Sequence, residues 1–377
     1  MKIAAVCDFP YWQADVGSAV RQESLCQSLS DICDLTVLCS APLSEEYAGF
    51  AESAPYRLLD GAALDKIATT IPGPGMPGIP PERTTAVQAI RHYCETEDVD
   101  AVVTPYFNRF WMIEHIRRDI LRIVDTIDCQ SQRTRSFAQH GLTPTFHMTA
   151  AQEGALLDRY DLALAISDED QAAFRQMTDI PIVTVPFRFP ARPLPTGRRT
   201  TGNALMFIAA RSPVNDMTLR YLLQDIMPLV NRRTMLRILG NVTVPDKLPG
   251  NTAIIRPGRV ADLATVYAQT DLALNPTFAG GGVKTKTLEA IAYGVPILTS
   301  DEGARGLRAL LPDLLIANDK ETFAHRIGVL LDAPTRRAAL TEQMLGNLAA
   351  ERSDNWQSAL LHLLTALRGT RQKGSAT

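Results

Sequence analysis

Short apolar runs separated by stretches of helical spacing recur through most of the chain. Ile3 to Cys7 is an uninterrupted apolar run, the pattern of a strand buried on both faces of a parallel sheet. Helical spacing follows, with Val20, Leu25 and Leu29 among the apolar positions, and Leu35 to Cys39 supplies the next run. Strand, helix, strand in that order predicts a βαβ unit and a doubly wound sheet, whose ligands gather outside the carboxyl ends of the strands. Asp100 to Pro105 reads as another strand and its exit, and Leu121 to Asp128 as one more. From Ile71 to Pro81 prolines and glycines break every period, so a mobile loop is expected there.

A second series begins after an interruption. Pro186, Pro190, Pro193 and Pro195 alternate with Arg188, Arg192, Arg198 and Arg199, the composition of a linker. Beyond it the pattern predicts a strand at Leu205 to Ile208, a helix at Leu219 to Val230, and a strand with its exit at Leu236 to Gly240. Ile254 and Ile255 mark another strand, Ala261 to Gln269 a helix, and Asp271 to Leu274 a strand. A helix from about Val283 to Tyr293 closes on Gly294, placed as a helix C-terminal glycine, and Val295 to Thr299 reads as the next strand. Two such series in 377 residues predict two α/β domains, over 1–186 and 203–349 with 187–202 as linker. Trp356, Leu360, Leu361, Leu364 and Leu367 keep helical spacing, giving a last helix over 350–368. The polar tail 369–377 is expected to be disordered.

Composition narrows the class. Hydrophobic residues make up 46% and charged residues 21% of the chain, and the net charge is −3. Such a balance gives no argument for nucleic-acid binding by the whole protein. The cysteines, Cys7, Cys26, Cys33, Cys39, Cys94 and Cys129, lie in the first third without a C-x-x-C pair, as buried reduced thiols would. The N-terminal apolar run is too short for a signal peptide, and no run approaches membrane-spanning length. A cytoplasmic protein is expected, soluble or in peripheral contact with the inner face of a membrane.

The chemistry concentrates after the strand at Asp271 to Leu274. Gly280, Gly281 and Gly282 let the backbone turn sharply beside a ligand, and the free N–H groups of the following helix form an anion site with Lys284 and Lys286 beside it. Glu289, five residues past Lys284, is placed to accept hydrogen bonds from neighbouring sugar hydroxyls. Phosphate and ribose together describe a nucleotide. A Walker loop needs Gly-Lys-Ser/Thr in succession, and Val283 interrupts it; a dinucleotide fingerprint needs glycine where Thr285 stands. A structural turn bearing two solvated lysines is the simpler alternative. Asp168-x-Asp170 has the spacing of a metal-nucleotide motif, yet Ser167 three residues before Asp170 reads as a helix cap.

Gly280-x-Gly282-x-Lys284-x-Lys286-x-x-Glu289-Ala290, followed by Gly294-Val295-Pro296, resembles the donor-nucleotide motif of the group 1 glycosyltransferases. Phe207 to Asn215 and Ile254 to Leu263 resemble two further segments of that family. The resemblance implies the GT-B fold, two Rossmann-like doubly wound domains facing a central cleft, the first for the acceptor and the second for the donor, with the last helix crossing back to the first. It implies transfer of a sugar, with retention and without a metal or cofactor, from a nucleotide sugar such as a UDP- or GDP-sugar to a hydroxyl of a glycan, lipid-linked saccharide or small molecule. By the same resemblance Gly281, Gly282, Val283, Lys284, Thr285 and Lys286 hold the diphosphate, with Arg211 from the second domain and Gly17, Ser18 and Arg21 from the first. Glu289 anchors the ribose, and Gly258, Arg259 and Val260 frame the base. Lys284 stabilises the leaving diphosphate, and Asp128 matches the family's aspartate, the general base if the reaction inverts. Two departures stand out: Thr104-Pro105-Tyr106 replaces a segment where many members carry histidine, and Gly281 stands where many carry a first glutamate. A nucleotide-sugar epimerase or hydrolase on the same fold, or a binding protein without chemistry, stays open.

Overall fold

The computed structural model describes all residues except 15, 72–80, 145, 196–200, 259, 261, 352–355 and 375–377, with only the backbone described at 81, 82 and 371–374. The loop expected at Ile71 to Pro81 therefore lies mostly outside the described residues. The chain forms two units, one of 1–131, 148–188 and 355–377, the other of 132–147 and 189–354.

The first unit holds β1 (Lys2–Cys7), β2 (Asp34–Cys39), β3 (Arg57–Leu59), β4 (Ala101–Pro105), β5 (Leu121–Asp125), β6 (Leu162–Ala165) and β7 (Ile182–Thr184). They pair in parallel in the order β3-β2-β1-β4-β5-β6-β7. In the second, β8 (Ala204–Ile208), β9 (Thr234–Leu239), β10 (Thr252–Gly258), β11 (Leu272–Asn275) and β12 (Ile297–Thr299) pair in parallel as β10-β9-β8-β11-β12. The helices in chain order are α1 (Gly17–Ser30), α2 (Ala48–Ser53), α3 (Gly61–Thr69), α4 (Pro81–Thr96), α5 (Gln130–Gln139), α6 (Ala150–Leu157) and α7 (Asp168–Phe174). They continue as α8 (Pro213–Tyr221), α9 (Leu263–Ala268), α10 (Thr285–Ala292), α11 (Lys320–Asp332), α12 (Pro334–Glu351) and α13 (Trp356–Gly374). None is long and apolar enough to cross a membrane among the described residues.

The apolar runs are long because both sheet faces are covered. Ile3, Ala5 and Cys7 of β1 share one core with Leu25 and Leu29 of α1, whereas Ala4 and Val6 point into the other with Ile90 and Cys94 of α4, the period-two alternation of a strand. Leu360 and Leu364 of α13 complete the first of these cores. Strand order reverses between β1 and β4 and between β8 and β11, the switch points at which doubly wound sheets bind ligands.

Several boundaries differ from expectation. Gln132–His147 groups with the second unit rather than staying within 1–186. The strand at Leu121 ends at Asp125, because Ile127 takes a positive φ of 64° that no strand continues through. The helix expected at Leu219 to Val230 starts earlier, with Ser212 Oγ accepting from Asn215 N at 3.2 Å and Pro213 in the first turn. It loosens into a π turn over Leu222–Ile226, ahead of Pro228, which has no N–H for the helical ladder. Helix α13 runs to Gly374, so residues 369–374 of the expected disordered tail are helical. Ser167 Oγ accepts from Asp170 N at 3.2 Å, a helix cap for α7.

Candidate functional site

In the second unit the loops after β8, β9, β11 and β12 meet at the carboxyl ends of the strands. Asn275, the last residue of β11, donates from Nδ2 to Thr287 Oγ1 at 3.0 Å, and Thr299 Oγ1 donates back to its carbonyl at 2.8 Å. These bonds fix the start of the glycine loop against β12 and α10. Gly280 and Gly282 have φ of 152° and 58°, backbone that glycine adopts without strain. Gly280 N donates to Ser136 Oγ of α5 at 3.1 Å.

The expected helix begins at Thr285, not Val283, and Lys284 is its N-cap residue. Thr287 N already donates to Lys284 O at 2.9 Å, so the N–H groups of Thr285 and Lys286 are the first-turn donors at the loop. Lys284 Nζ turns back over the loop and donates to the carbonyls of Gly281 (3.2 Å) and Gly282 (3.1 Å) and to Glu302 Oε1 (2.7 Å). Lys286 points the other way. Its ammonium donates to Asn215 Oδ1 of α8 at 2.8 Å and lies 5.4 Å from the centre of the Phe207 ring. Burial, with the Lys284 charge adding repulsion, pulls its pKa down to about 7. Asn215 is held by its own bond to Ala210 O at 2.8 Å.

Glu289, one turn into α10, accepts from the Tyr267 hydroxyl at 3.1 Å. Tyr267 stacks on Tyr293 with centroids 4.5 Å apart. Burial raises the Glu289 pKa, against which the Tyr267 hydrogen bond and the Arg192 charge act. Arg211 is exposed after β8, its backbone N donating to Asn241 Oδ1 at 2.6 Å. Gly258 ends β10 with φ 74° and Val260 is half-buried; Arg259 lies outside the described residues. Val283 and Thr285 are half-buried beside Lys284. The structure thus gathers Gly281, Gly282, Val283, Lys284, Thr285 and Lys286 at the end of β11, with Glu289 one turn along α10.

The first unit treats its expected residues differently. Gly17 and Ser18 open α1, but Arg21, expected at a phosphate, is fully buried. Its Nε and Nη2 donate to Asp125 at 2.8–3.2 Å and its Nη1 to Pro186 O at 3.2 Å. An arginine spent on a buried carboxylate is a structural tie, since releasing it would strand a buried charge. Asp128 is buried between β5 and α5, accepts a short hydrogen bond from Gln130 Nε2, and donates from its own N to Thr126 O at 2.7 Å.

Sequence reasoning missed Tyr267, Ser136 and Glu302, and met Asn215 only as the end of the segment from Phe207. Only Glu302 carried a signal, as an acidic residue just past a parallel strand.

Residues 202–333 match the family model described as glycosyl transferases group 1. No curated protein sequence matches the chain. Among solved structures the chain resembles TarM, with a TM-score of 0.68 at 10% identity, covering 97% of this chain and 98% of that one. It resembles Anabaena HepE in complex with UDP at a TM-score of 0.64 and 13% identity, covering 97% and 100%. Sucrose-phosphate synthase from Thermosynechococcus elongatus gives 0.64 at 15% identity over 100% of both chains. At these identities the likeness is one of fold, and that fold is GT-B.

Proposed function

We propose that the chain is a glycosyltransferase that moves a sugar from a nucleoside diphosphate to an acceptor hydroxyl. The observation that carries this is the convergence of glycine loop, α10 N-terminus, Lys286 and Glu289 at the end of β11, inside the segment matched by the family model. HepE, of the same fold, is described with UDP and with UDP-glucose, so uridine nucleotides are the first donors to test.

In this reading the α10 amides and Lys286 take the diphosphate and Glu289 receives the ribose hydroxyls, while Lys284, expected to stabilise the leaving group itself, is held by Gly281 O, Gly282 O and Glu302 and fixes the loop around it. The bond between the anomeric carbon and the β-phosphate oxygen breaks, and the diphosphate leaves with the electron pair. The acceptor oxygen bonds to that carbon and gives up its proton to the departing diphosphate oxygen. Charge that develops on the leaving diphosphate meets dipoles and an ammonium already in place, which lowers the barrier without reorganisation. These groups can do this without a metal, and transfer with retention is the form we assign. Arg211, Gly258 and Val260 are assigned to the periphery of the donor. Asp128 is the base if the anomeric centre inverts. The acceptor is a saccharide, lipid-linked or small-molecule hydroxyl.

Titration with UDP, GDP and ADP and their sugars, followed by product analysis, tests this. One base family should bind, and Glu289→Ala should weaken it by roughly 1–3 kcal/mol, the cost of leaving buried polar partners unmet. Equal affinity in a folded Glu289→Ala variant rules out the ribose contact. Sugar release that needs no acceptor would point to a hydrolase instead.

A further inference from the structure

We infer that Glu302 receives hydroxyls of the donor sugar and so separates a nucleotide sugar from the bare diphosphate; this rests on the donor reading above. Glu302 is the third residue past β12, on a turn that is locked from three sides. Gly303 N donates to Ser300 Oγ at 3.0 Å, Thr287 Oγ1 of α10 donates to Gly303 O at 2.9 Å, and Ala304 N donates to Ser300 O at 2.9 Å. A Cβ at Gly303 would come within 2.0 Å of Thr299 Oγ1, so the turn lies flush on the end of the strand. The carboxylate it carries has a fixed position relative to the glycine loop.

That position is against Gly280. A Cβ there would stand 3.1 Å from Glu302 Oε1 and 3.0 Å from Lys284 Nζ, so the loop, carboxylate and ammonium pack without a gap. Lys284 has three N–H donors, and the carbonyls of Gly281 and Gly282 with Glu302 Oε1 provide three acceptors. Lys284 therefore aims the carboxylate and braces the loop. The other oxygen, Oε2, lies 3.8 Å from Arg305 Nη1, an ionic contact longer than a hydrogen bond. Arg305 is itself held by a short bond to Gln132 Oε1 of α5.

An ionised carboxylate accepts about four hydrogen bonds and donates none. Beside a phosphate site it repels the anion, whereas toward a sugar it accepts from hydroxyl groups, with charge-assisted bonds stronger than neutral ones. Its side chain is 19% exposed, enough to be reached and enough desolvated to matter. The two effects have opposite signs for the two ligands. A brace with no ligand contact would change both alike.

The test is calorimetric titration of the wild type, Glu302→Ala and Glu302→Gln with UDP, GDP and ADP and with their glucose, galactose and N-acetylglucosamine conjugates. In Glu302→Ala the bare diphosphate should bind as well as in the wild type or a few-fold tighter, while the nucleotide sugar loses roughly 10-fold, the scale of one charged hydrogen bond. Glu302→Gln keeps the size and one acceptor and should fall between, and it carries the test if the alanine variant does not fold. Equal losses for both ligand classes overturn the sugar contact and leave Glu302 a brace. If the wild type binds no nucleotide at all, the donor reading falls and this inference with it.

Discussion

Two lysines two positions apart in the motif have opposite surroundings, and this decides what each can do. Lys284 is satisfied by carbonyls and a carboxylate, while Lys286 is desolvated beside a phenyl ring with a pKa near 7. A diphosphate placed next to Lys286 stabilises its ammonium and must raise that pKa, so binding takes up a proton. Between pH 7 and 9 affinity for a nucleoside diphosphate should fall as pH rises, and calorimetry in buffers of different protonation heats should record uptake near pH 7.5. Lys286→Met should flatten both; a pH profile identical to the wild type would remove Lys286 from the phosphate site. Stability of the ligand-free protein runs the other way. Folding lowers this pKa from 10.5 to about 7, so within that window the unfolded chain binds the extra proton. The penalty is full below pH 7 and gone above 10.5, and stability from this group rises with pH. The lysine spacing was readable in the sequence, because neighbours on one helix turn are set by local geometry. The tether on Lys284 was not, since Glu302 reaches it only through the packing of β12 beside β11, and Arg21 was misread because Asp125 is 104 residues away.

Helix α5 shows the same limit among elements. Its first N–H groups are met by a side chain from another helix: Glu153 of α6 is fully buried and accepts from Gln130 N at 2.7 Å and Ser131 N at 2.9 Å, with the Cys129 thiol at 3.5 Å. One carboxylate thereby fixes the start of the helix two residues after Asp128. Removing it strands two buried donors, so Glu153→Ala should cost roughly 2–3 kcal/mol in urea unfolding. Glu153→Gln, which keeps one acceptor, should cost less. A loss below roughly 0.5 kcal/mol, the scatter of ordinary surface changes, would mean that water serves these donors equally well. The cap of α7 could be read from sequence because Ser167 precedes its own helix; the cap of α5 comes 23 residues later. Buried parallel strands were legible as unbroken apolar runs, whereas the π turn at Leu222–Ile226 leaves no period to detect.

At the scale of the molecule the doubled series of strands and helices foretold two sheets, and each has its own core. What the series could not foretell is membership: no change in composition marks Gln132–His147, which groups with the second unit, and α13 returns to the first at the far end of the chain. Membership has a thermodynamic reading. Leu360 and Leu364 are buried in the first unit's core, and losing such side chains costs about 2–5 kcal/mol each. Deleting residues 352–377 should therefore lower the melting of the first unit while leaving that of the second in place. A nucleoside diphosphate at 100 times its dissociation constant adds about 2.7 kcal/mol to whichever unit binds it, and on the donor reading that is the second. Scanning calorimetry should thus resolve two transitions, one moved down by the deletion and the other moved up by the ligand. A single transition displaced by both treatments would mean that the two units unfold as one cooperative body.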